Sequence, residues 1–289
     1  MAKDKFTATW VSHSSISLFL KCPRAYYLQN IYRDPKTGHK IQVTAPALSL
    51  GSAVHEVIES LSVLPTQTRF SESLIAKFDT AWEKVSGKFG GFPNDEVEIT
   101  YKRRGEEMLR RVMNNPGPLV NKAVKIKEDL PFYWLSEEEN IILCGKIDWL
   151  EYLEDTDSVH IIDFKTSKRF EDEASMQLPI YHLLVHNCQK RKVEKASYWY
   201  LELSDTLTDK ELPDLESAHE QVIKIAQDIK TARKLERFRC PNEAGCMHCQ
   251  ALEKVVNGEA EFVGVTDRNQ DRYLIPQGIP EDEEESYIL

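Results

Sequence analysis

The sequence predicts an α/β fold (of the α+β kind), in which helices flank a central mixed β-sheet and a helical insertion interrupts the core. Three observations support this prediction. Apolar residues recur at helical spacing over several segments, and short runs of branched and aromatic residues are bounded by polar turns. With 289 residues, 41% of them hydrophobic, the chain is also long enough to bury a substantial core.

The first half of the chain is predicted to be mainly helical. Serine caps begin a helix that is interrupted at Cys22-Pro23, because the residue before a proline disfavours the α conformation. In a later helix His55 lies beside an apolar stripe. The predicted helices cover residues 14–20, 24–31 and 48–61, and two more lie in the insertion at about 63–120.

The second half is predicted to alternate between strands and helices. Strand candidates cover residues 124–134, 141–152, 159–165 and 196–203, and helices are expected over 175–188 and 215–235. A polar turn at 154–158 closes the second and third strands into a hairpin, which brings Asp148 near Asp163. We expect one domain over residues 1–258, followed by an appendage and acidic tail over 259–289.

The charge and hydropathy of the chain exclude some classes of protein. A net charge of −10 and a pI of about 5.4 argue against a protein that coats nucleic acid nonspecifically. Basic clusters that can attract phosphate locally occur at 102–104, 110–111, 190–192 and 233–239. No apolar run approaches the roughly 20 residues that cross a bilayer, and the N-terminus lacks the apolar stretch of a secretory signal. We expect a cytoplasmic protein without a membrane partner.

The strongest chemical signal is a pair of acidic motifs on neighbouring strands. Asp163 and Lys165 project from one face of their strand, while Phe164 points to the other face. Asp148 follows an apolar run in the preceding strand candidate. An ammonium beside two carboxylates can hold a divalent metal and a water next to a phosphodiester. A D-x-K alone is more often a solvated ion pair than a catalytic site. The assignment of a catalytic role therefore depends on the other motifs.

Those motifs occur in a recognisable order. His55, Asp148, Asp163-Phe164-Lys165 and Gln177-x-x-x-Tyr181 together resemble the PD-(D/E)XK nuclease superfamily. The resemblance is greatest to its RecB-like branch, which includes the nuclease domains of helicase–nuclease complexes and the CRISPR-adaptation nucleases. It runs from the first predicted helix to the cysteine turn at 240–249. It implies a restriction-endonuclease-like core and a metal-dependent DNA nuclease, expected to be an exonuclease in repair, recombination, mobile-element or CRISPR-type processing.

The resemblance also assigns metal ligands. It implies that Asp148 and Asp163 bridge a divalent ion, that His55 is an additional ligand, and that the backbone carbonyl of Phe164 completes the shell. Mg²⁺ prefers oxygen ligands, and Mn²⁺ accepts an imidazole more readily. The alternative for His55 taken alone is a histidine at the edge of a packed core.

Three further residues receive catalytic roles from the resemblance. Lys165 is expected to position the attacking water or to stabilise developing negative charge. Gln177 and Tyr181, four residues apart on one helical face, are expected to contact the substrate phosphate or to brace the site. The alternative for these two residues is ordinary packing at helical spacing.

Six cysteines suggest a second metal site rather than a disulfide framework. Cys144 and Cys188 lie in apolar segments and are predicted to be buried thiols. Of the other four, Cys240, Cys246 and Cys249 lie in a tight turn where their thiolates can converge, and Cys22, far away in sequence, can be the fourth ligand. Iron–sulfur members of the family bind a [4Fe–4S] cluster through cysteines distributed in this way, although here the isolated cysteine precedes the C-x-x-C instead of following it. Zn²⁺ suits four thiolates as well, and buried thiols without a metal are the third possibility.

Two alternatives to a self-sufficient nuclease remain. One is a catalytically silent DNA-binding subunit of a helicase–nuclease complex, against which the intact His55, Asp148, Asp163 and Lys165 argue. The other is a nuclease that is active only with a helicase partner, since the sequence contains no Walker-type G-x-x-x-x-G-K-[ST] motif. The expected partners are therefore DNA, as single strands or duplex ends, and a helicase or CRISPR-type protein.

Overall fold

The computed structural model describes residues 4–276, and the elements below are those of this part of the chain. The α-helices are α1 (His13–Lys21), α2 (Pro23–Tyr26), α3 (Pro46–Ser60), α4 (Leu74–Glu83), α5 (Asp95–Asn114), α6 (Gln177–Cys188), α7 (Leu215–Lys234) and α8 (Met247–Val256). The strands are β1 (Thr9–Val11), β2 (Lys40–Val43), β3 (Phe132–Ser136), β4 (Ile141–Cys144), β5 (Trp149–Leu153), β6 (Ser158–Lys165), β7 (Val193–Tyr200), β8 (Thr208–Lys210), β9 (Glu261–Val265) and β10 (Gln270–Leu274).

The helices and strands together form a mixed α/β fold, which confirms the predicted fold class. The largest sheet has the order β5-β6-β7-β8, in which β6 and β7 are parallel and the two outer pairs are antiparallel. Two three-stranded sheets accompany it, with the orders β1-β4-β3 and β2-β10-β9. The strands are thus divided among three sheets, where the sequence suggested one central sheet.

Two predicted strands differ from the observed ones. The candidate at 141–152 is two strands, β4 and β5, which belong to different sheets. Gly145 lies at the break, where a Cβ atom would come within 2.8 Å of a Leu184 methyl carbon, so the chain crosses between sheets in close contact with α6. The candidate at 124–134 becomes regular only from Phe132 onward, although Val124 donates a hydrogen bond to the carbonyl of Leu150.

Both faces of the four-stranded sheet are covered. Along β6, Val159 and Ile161 pack into one hydrophobic cluster with α6 and α7, while Ile162 and Phe164 pack into a second cluster with α3, α4 and α5. The predicted insertion therefore completes the core on the α3 side. No helix within residues 4–276 combines the length and apolarity that a membrane span requires.

The chain after residue 258 contributes to a sheet with the N-terminal part. β10 pairs in parallel with β2 and antiparallel with β9. The fully buried carboxylate of Asp271 accepts a hydrogen bond from the Thr37 hydroxyl at 2.5 Å and contacts His39 Nδ1 at 2.8 Å. The predicted division at residue 258 stays a prediction, and these contacts cross it. The acidic run at 281–285 lies outside the described residues.

Candidate active site

The hairpin of β5 and β6 brings the two motif aspartates together. Asp148 immediately precedes β5, and Asp163 lies near the end of β6 with only 2% of its surface exposed. The backbone N–H of Phe164 donates a hydrogen bond to Asp148 Oδ2 at 3.0 Å. Because Asp148 lies outside the regular strand, its carboxylate can turn toward the backbone of β6.

Helix α3 presents two ligand-type side chains to Asp148. His55 Nδ1 lies 3.4 Å from Asp148 Oδ2 and 3.7 Å from Glu59 Oε1. One ligand atom of each of these three residues lies within 4.8 Å of the others. Sequence reasoning missed Glu59, although a carboxylate four residues after a motif histidine shares its helical face and is a usable signal. The second oxygen of Glu59 pairs with the Lys146 ammonium.

Lys165 lies at the centre of a second group of polar side chains. Its Nζ is 3.0 Å from Asp163 Oδ2 and 3.0 Å from Glu171 Oε2, and it donates a hydrogen bond to Gln177 Oε1. It also lies 5.0 Å from the centre of the Tyr198 ring, within reach of a cation–π interaction. Sequence reasoning missed Glu171, which belongs to the short acidic loop between β6 and α6.

Gln177 and Tyr181 lie beside the aspartate of the D-x-K motif. The Gln177 amide donates to Asp163 Oδ1 at 2.7 Å and to the Tyr181 hydroxyl at 3.1 Å. Both side chains are buried, so their orientation is held by packing as well as by hydrogen bonds. Since the same amide accepts from Lys165, Gln177 links both ends of the motif to the first turn of α6.

The site concentrates negative charge in a buried volume. Burial raises the pKa of Asp163 to about 7, a shift that Lys165 opposes and Asp148 increases. Burial also acts to raise the pKa of Asp148, but His55 and the Phe164 N–H outweigh this effect, and the pKa of that carboxyl is lowered. Burial disfavours the charged form of His55, yet Asp148 and Glu59 raise its pKa to about 10. The His55 imidazolium therefore balances the Asp148 carboxylate.

These donors fit a divalent cation. His55, Glu59 and Asp148 lie close enough together to hold one cation, and Asp163, which is outside that group, adds a further carboxylate near Asp148. Imidazole and carboxylate are ligands that Mn²⁺ and Mg²⁺ accept. Asp163 Oδ2 is buried and forms an ion pair with the Lys165 ammonium at 3.0 Å, but among residues 4–276 it accepts no hydrogen bond. A buried oxygen with unused lone pairs is suited to a metal. The ligand role of the Phe164 carbonyl stays a prediction.

A cleft opens on the α3 side of these ligands. It has a volume of about 970 Å³ and includes His55, Glu59 and Asp148 in its wall. Its lining also carries the basic side chains of Lys125, Lys146 and Arg268. Substrate approaching through this cleft would therefore meet both the metal ligands and cationic groups that can contact phosphate.

The four cysteines singled out in the sequence converge at a separate site. Cys249 Sγ lies 3.9 Å from Cys246 Sγ and 3.8 Å from Cys240 Sγ, and Cys22 joins them with its sulfur within 4.8 Å of the others. Cys22 is the N-cap residue of α2 and Cys246 that of α8, so two helix N-termini meet here. Burial raises the pKa of the Cys249 thiol to about 11, a penalty that a bound metal cation would offset.

Comparison with known proteins gives one family match. No curated protein matches the chain significantly. The family model described as the PD-(D/E)XK nuclease superfamily matches residues 10–253, a range that includes the four cysteines of the separate site and His55, Asp148, Asp163 and Lys165. Members of this superfamily are generally metal-dependent nucleases, and the match covers most of the chain. The chain belongs to the PD-(D/E)XK nuclease superfamily.

Proposed function

We propose that this protein is a divalent-metal-dependent DNA nuclease of the RecB-like type, acting as an exonuclease on single strands or duplex ends. The observation that carries the proposal is the group of His55, Asp148 and the buried Asp163 with the Lys165 ammonium beside it. An ordinary ion pair of Asp163 and Lys165 would not require a second carboxylate, Asp148, and an imidazole, His55, beside it.

In this proposal His55, Glu59, Asp148 and Asp163 hold the metal ion. A bound divalent ion supplies Lewis acidity at the phosphate and lowers the pKa of a water molecule. The protein supplies the geometry. The Phe164 N–H fixes Asp148, Gln177 fixes Asp163, and the strand and helix that carry them are packed on both sides.

Lys165 is proposed to stabilise charge that develops on the phosphate. Its side chain is 13% exposed, so it acts in surroundings where an electrostatic contact is stronger than in water. Burial would lower its pKa, but Asp163 and Glu171 raise it above the usual value, so the group remains cationic. Gln177 and Tyr181 are proposed to brace this arrangement rather than to take part in chemistry.

The cysteine site is proposed to hold a [4Fe–4S] cluster. The proposal is supported by four thiols that converge from the N-terminal and C-terminal ends of the matched region. Zn²⁺ is the competing occupant, because four thiolates satisfy its tetrahedral preference. In either case the role is structural, since the metal would tie α2 to α8 next to the ion pair of Arg24 and Glu253.

The biological setting belongs to the same proposal. We expect a cytoplasmic nuclease in DNA repair, recombination or CRISPR-type processing, alone or with a helicase partner. The mixed charges of the cleft support a few local phosphate contacts rather than a broad cationic surface. DNA affinity should therefore fall with rising salt with a shallow slope.

The deciding experiment is the degradation of end-labelled single-stranded and double-stranded DNA with Mn²⁺ or Mg²⁺. We expect cleavage that EDTA stops and added metal restores, and that Asp163→Ala abolishes. Asp155→Ala is the matched control, since it removes an exposed aspartate from the opposite end of the same hairpin. Full activity of purified Asp163→Ala would refute the assignment. DNA binding without cleavage by the wild type would favour the silent subunit.

A further inference from the structure

The ammonium of Lys165 has its contacts filled in this structure. Three oxygen atoms surround it: Gln177 Oε1 accepts a hydrogen bond, and Asp163 Oδ2 and Glu171 Oε2 form ion pairs at 3.0 Å each. A substrate phosphate can reach Lys165 only by replacing one of them. Asp163 and Gln177 are held on β6 and α6 and bonded to each other at 2.7 Å. Glu171 is the partner that the rest of the site does not require.

Glu171 is placed as a substitute for a phosphate group. Its carboxylate lies 3.0 Å from Lys165 Nζ, and against the opposing effect of burial Lys165 and the nearby Ser175 lower the pKa of this carboxyl. These neighbours stabilise an anion, and a carboxylate and a phosphate oxygen make the same kind of contact with them.

The side chain of Glu171 can leave while its backbone stays. The Glu171 N–H donates to the Tyr200 hydroxyl at 3.0 Å, and the preceding Phe170 ring packs edge-on against Tyr200 at 4.7 Å. These contacts hold the loop backbone. The Glu171 side chain is 21% exposed, and the residues that follow it, 172–174, are exposed as well. A rotamer change can therefore move the carboxylate into solvent.

We infer that Glu171 occupies an anion-binding position formed by Lys165 with Ser175 beside it, and that a phosphate of the nucleic-acid substrate takes its place. The inference rests on the proposed nuclease function for the identity of the phosphate. If the carboxylate stayed, two anions would share one ammonium at roughly 5 Å from each other, and their repulsion would weaken binding. Glu171 therefore keeps Lys165 neutralised until substrate displaces it, which makes it a residue that sets substrate affinity.

The test compares Glu171→Gln with Glu173→Gln, an exposed glutamate two residues further on whose loss changes the net charge equally. The probe is a fluorescein-labelled single-stranded oligonucleotide. Its Kd is measured by anisotropy without divalent metal, and KM and kcat are measured with Mn²⁺. Glu171→Gln should lower Kd and KM by about tenfold, which corresponds to about 1.4 kcal/mol. Glu173→Gln should leave both within about twofold of the wild type.

Equal Kd values for the two variants, a higher Kd for Glu171→Gln, or a fall in kcat at unchanged Kd would overturn the inference; the last would make Glu171 a positioning residue for Lys165. Absence of binding by every protein would overturn it too. Tighter binding by Glu171→Gln together with no cleavage by the wild type would retain the anion position and reject the nuclease function. Glu171→Ala, with its melting temperature, guards against a variant that misfolds.

Discussion

Replacing Asp163 by asparagine should change how the stability of the metal-free protein depends on pH. An unfolded aspartate ionises near pH 4, whereas the folded Asp163 retains its proton up to about pH 7, because burial disfavours its charge. The folded state therefore binds more protons in this window. Stability contributed by Asp163 is present at low pH and is lost as the pH rises from about 4 to about 7.

The size of the effect follows from that difference. At about 1.4 kcal/mol per pKa unit, the shift corresponds to a loss of about 4 kcal/mol in the free energy of unfolding. Asp163→Asn cannot ionise, so it should escape this loss. Removing the partner of Lys165 adds a penalty, but that penalty is constant, since Lys165 stays protonated throughout the window.

The assay is thermal unfolding from pH 4 to 7.5 in buffer freed of divalent metal. The melting temperature of the wild type minus that of Asp163→Asn should fall by about 8 °C across this range, at about 2 °C per kcal/mol. Asp155→Asn, the exposed control, should follow the wild type. Added Mn²⁺ should raise the melting temperature of the wild type and of Asp155→Asn at neutral pH, but not that of Asp163→Asn, because a metal favours the ionised carboxylate. Parallel pH curves for the wild type and Asp163→Asn would refute the reasoning.

Three further predictions concern the other functional groups. Lys165→Ala should lower the cleavage rate about 100-fold or more, whereas the exposed Lys168→Ala should keep it; equal rates would remove Lys165 from the mechanism. Glu59→Gln should raise the Kd for Mn²⁺ about tenfold in a calorimetric titration, while its neighbour Glu56→Gln should not; an unchanged Kd would exclude Glu59 as a ligand. Cys22→Ser should lose bound iron or zinc and melt at a lower temperature, and Cys144→Ala, which removes a thiol outside the cysteine site, should retain the metal. A folded, metal-free wild type would contradict this last prediction.

Helices were the part of the fold most accessible to sequence analysis. The helix predicted over 48–61 is Pro46–Ser60, and the one predicted over 215–235 is Leu215–Lys234. Their apolar residues recur at helical spacing, and proline or an aspartate cap defines where each begins. Such signals are local, so a single sequence contains them.

Pairing between distant segments was less accessible. The parallel pairing of β10 with β2 joins residues 230 positions apart, and the sequence of neither segment indicates which strand it pairs with. Glu171 and Glu59 were missed for a related reason. A glutamate in a loop or on a helix is usually solvated. The spacing from His55 is a signal for Glu59, whereas only the approach of Lys165 distinguishes Glu171.

The strand prediction failed at the segment that makes the site. A continuous strand over 141–152 satisfies the local pattern of apolar residues, but residues 145–148 leave β4 and enter a different sheet. Because Asp148 is thereby free of a strand partner, its carboxylate can accept the Phe164 N–H and approach His55. In a regular strand the backbone at this position would pair with a neighbouring strand through hydrogen bonds. The side chain would then point straight out from one face of the sheet. The conflict between local pattern and observed chain path therefore falls where chemistry requires an irregular backbone.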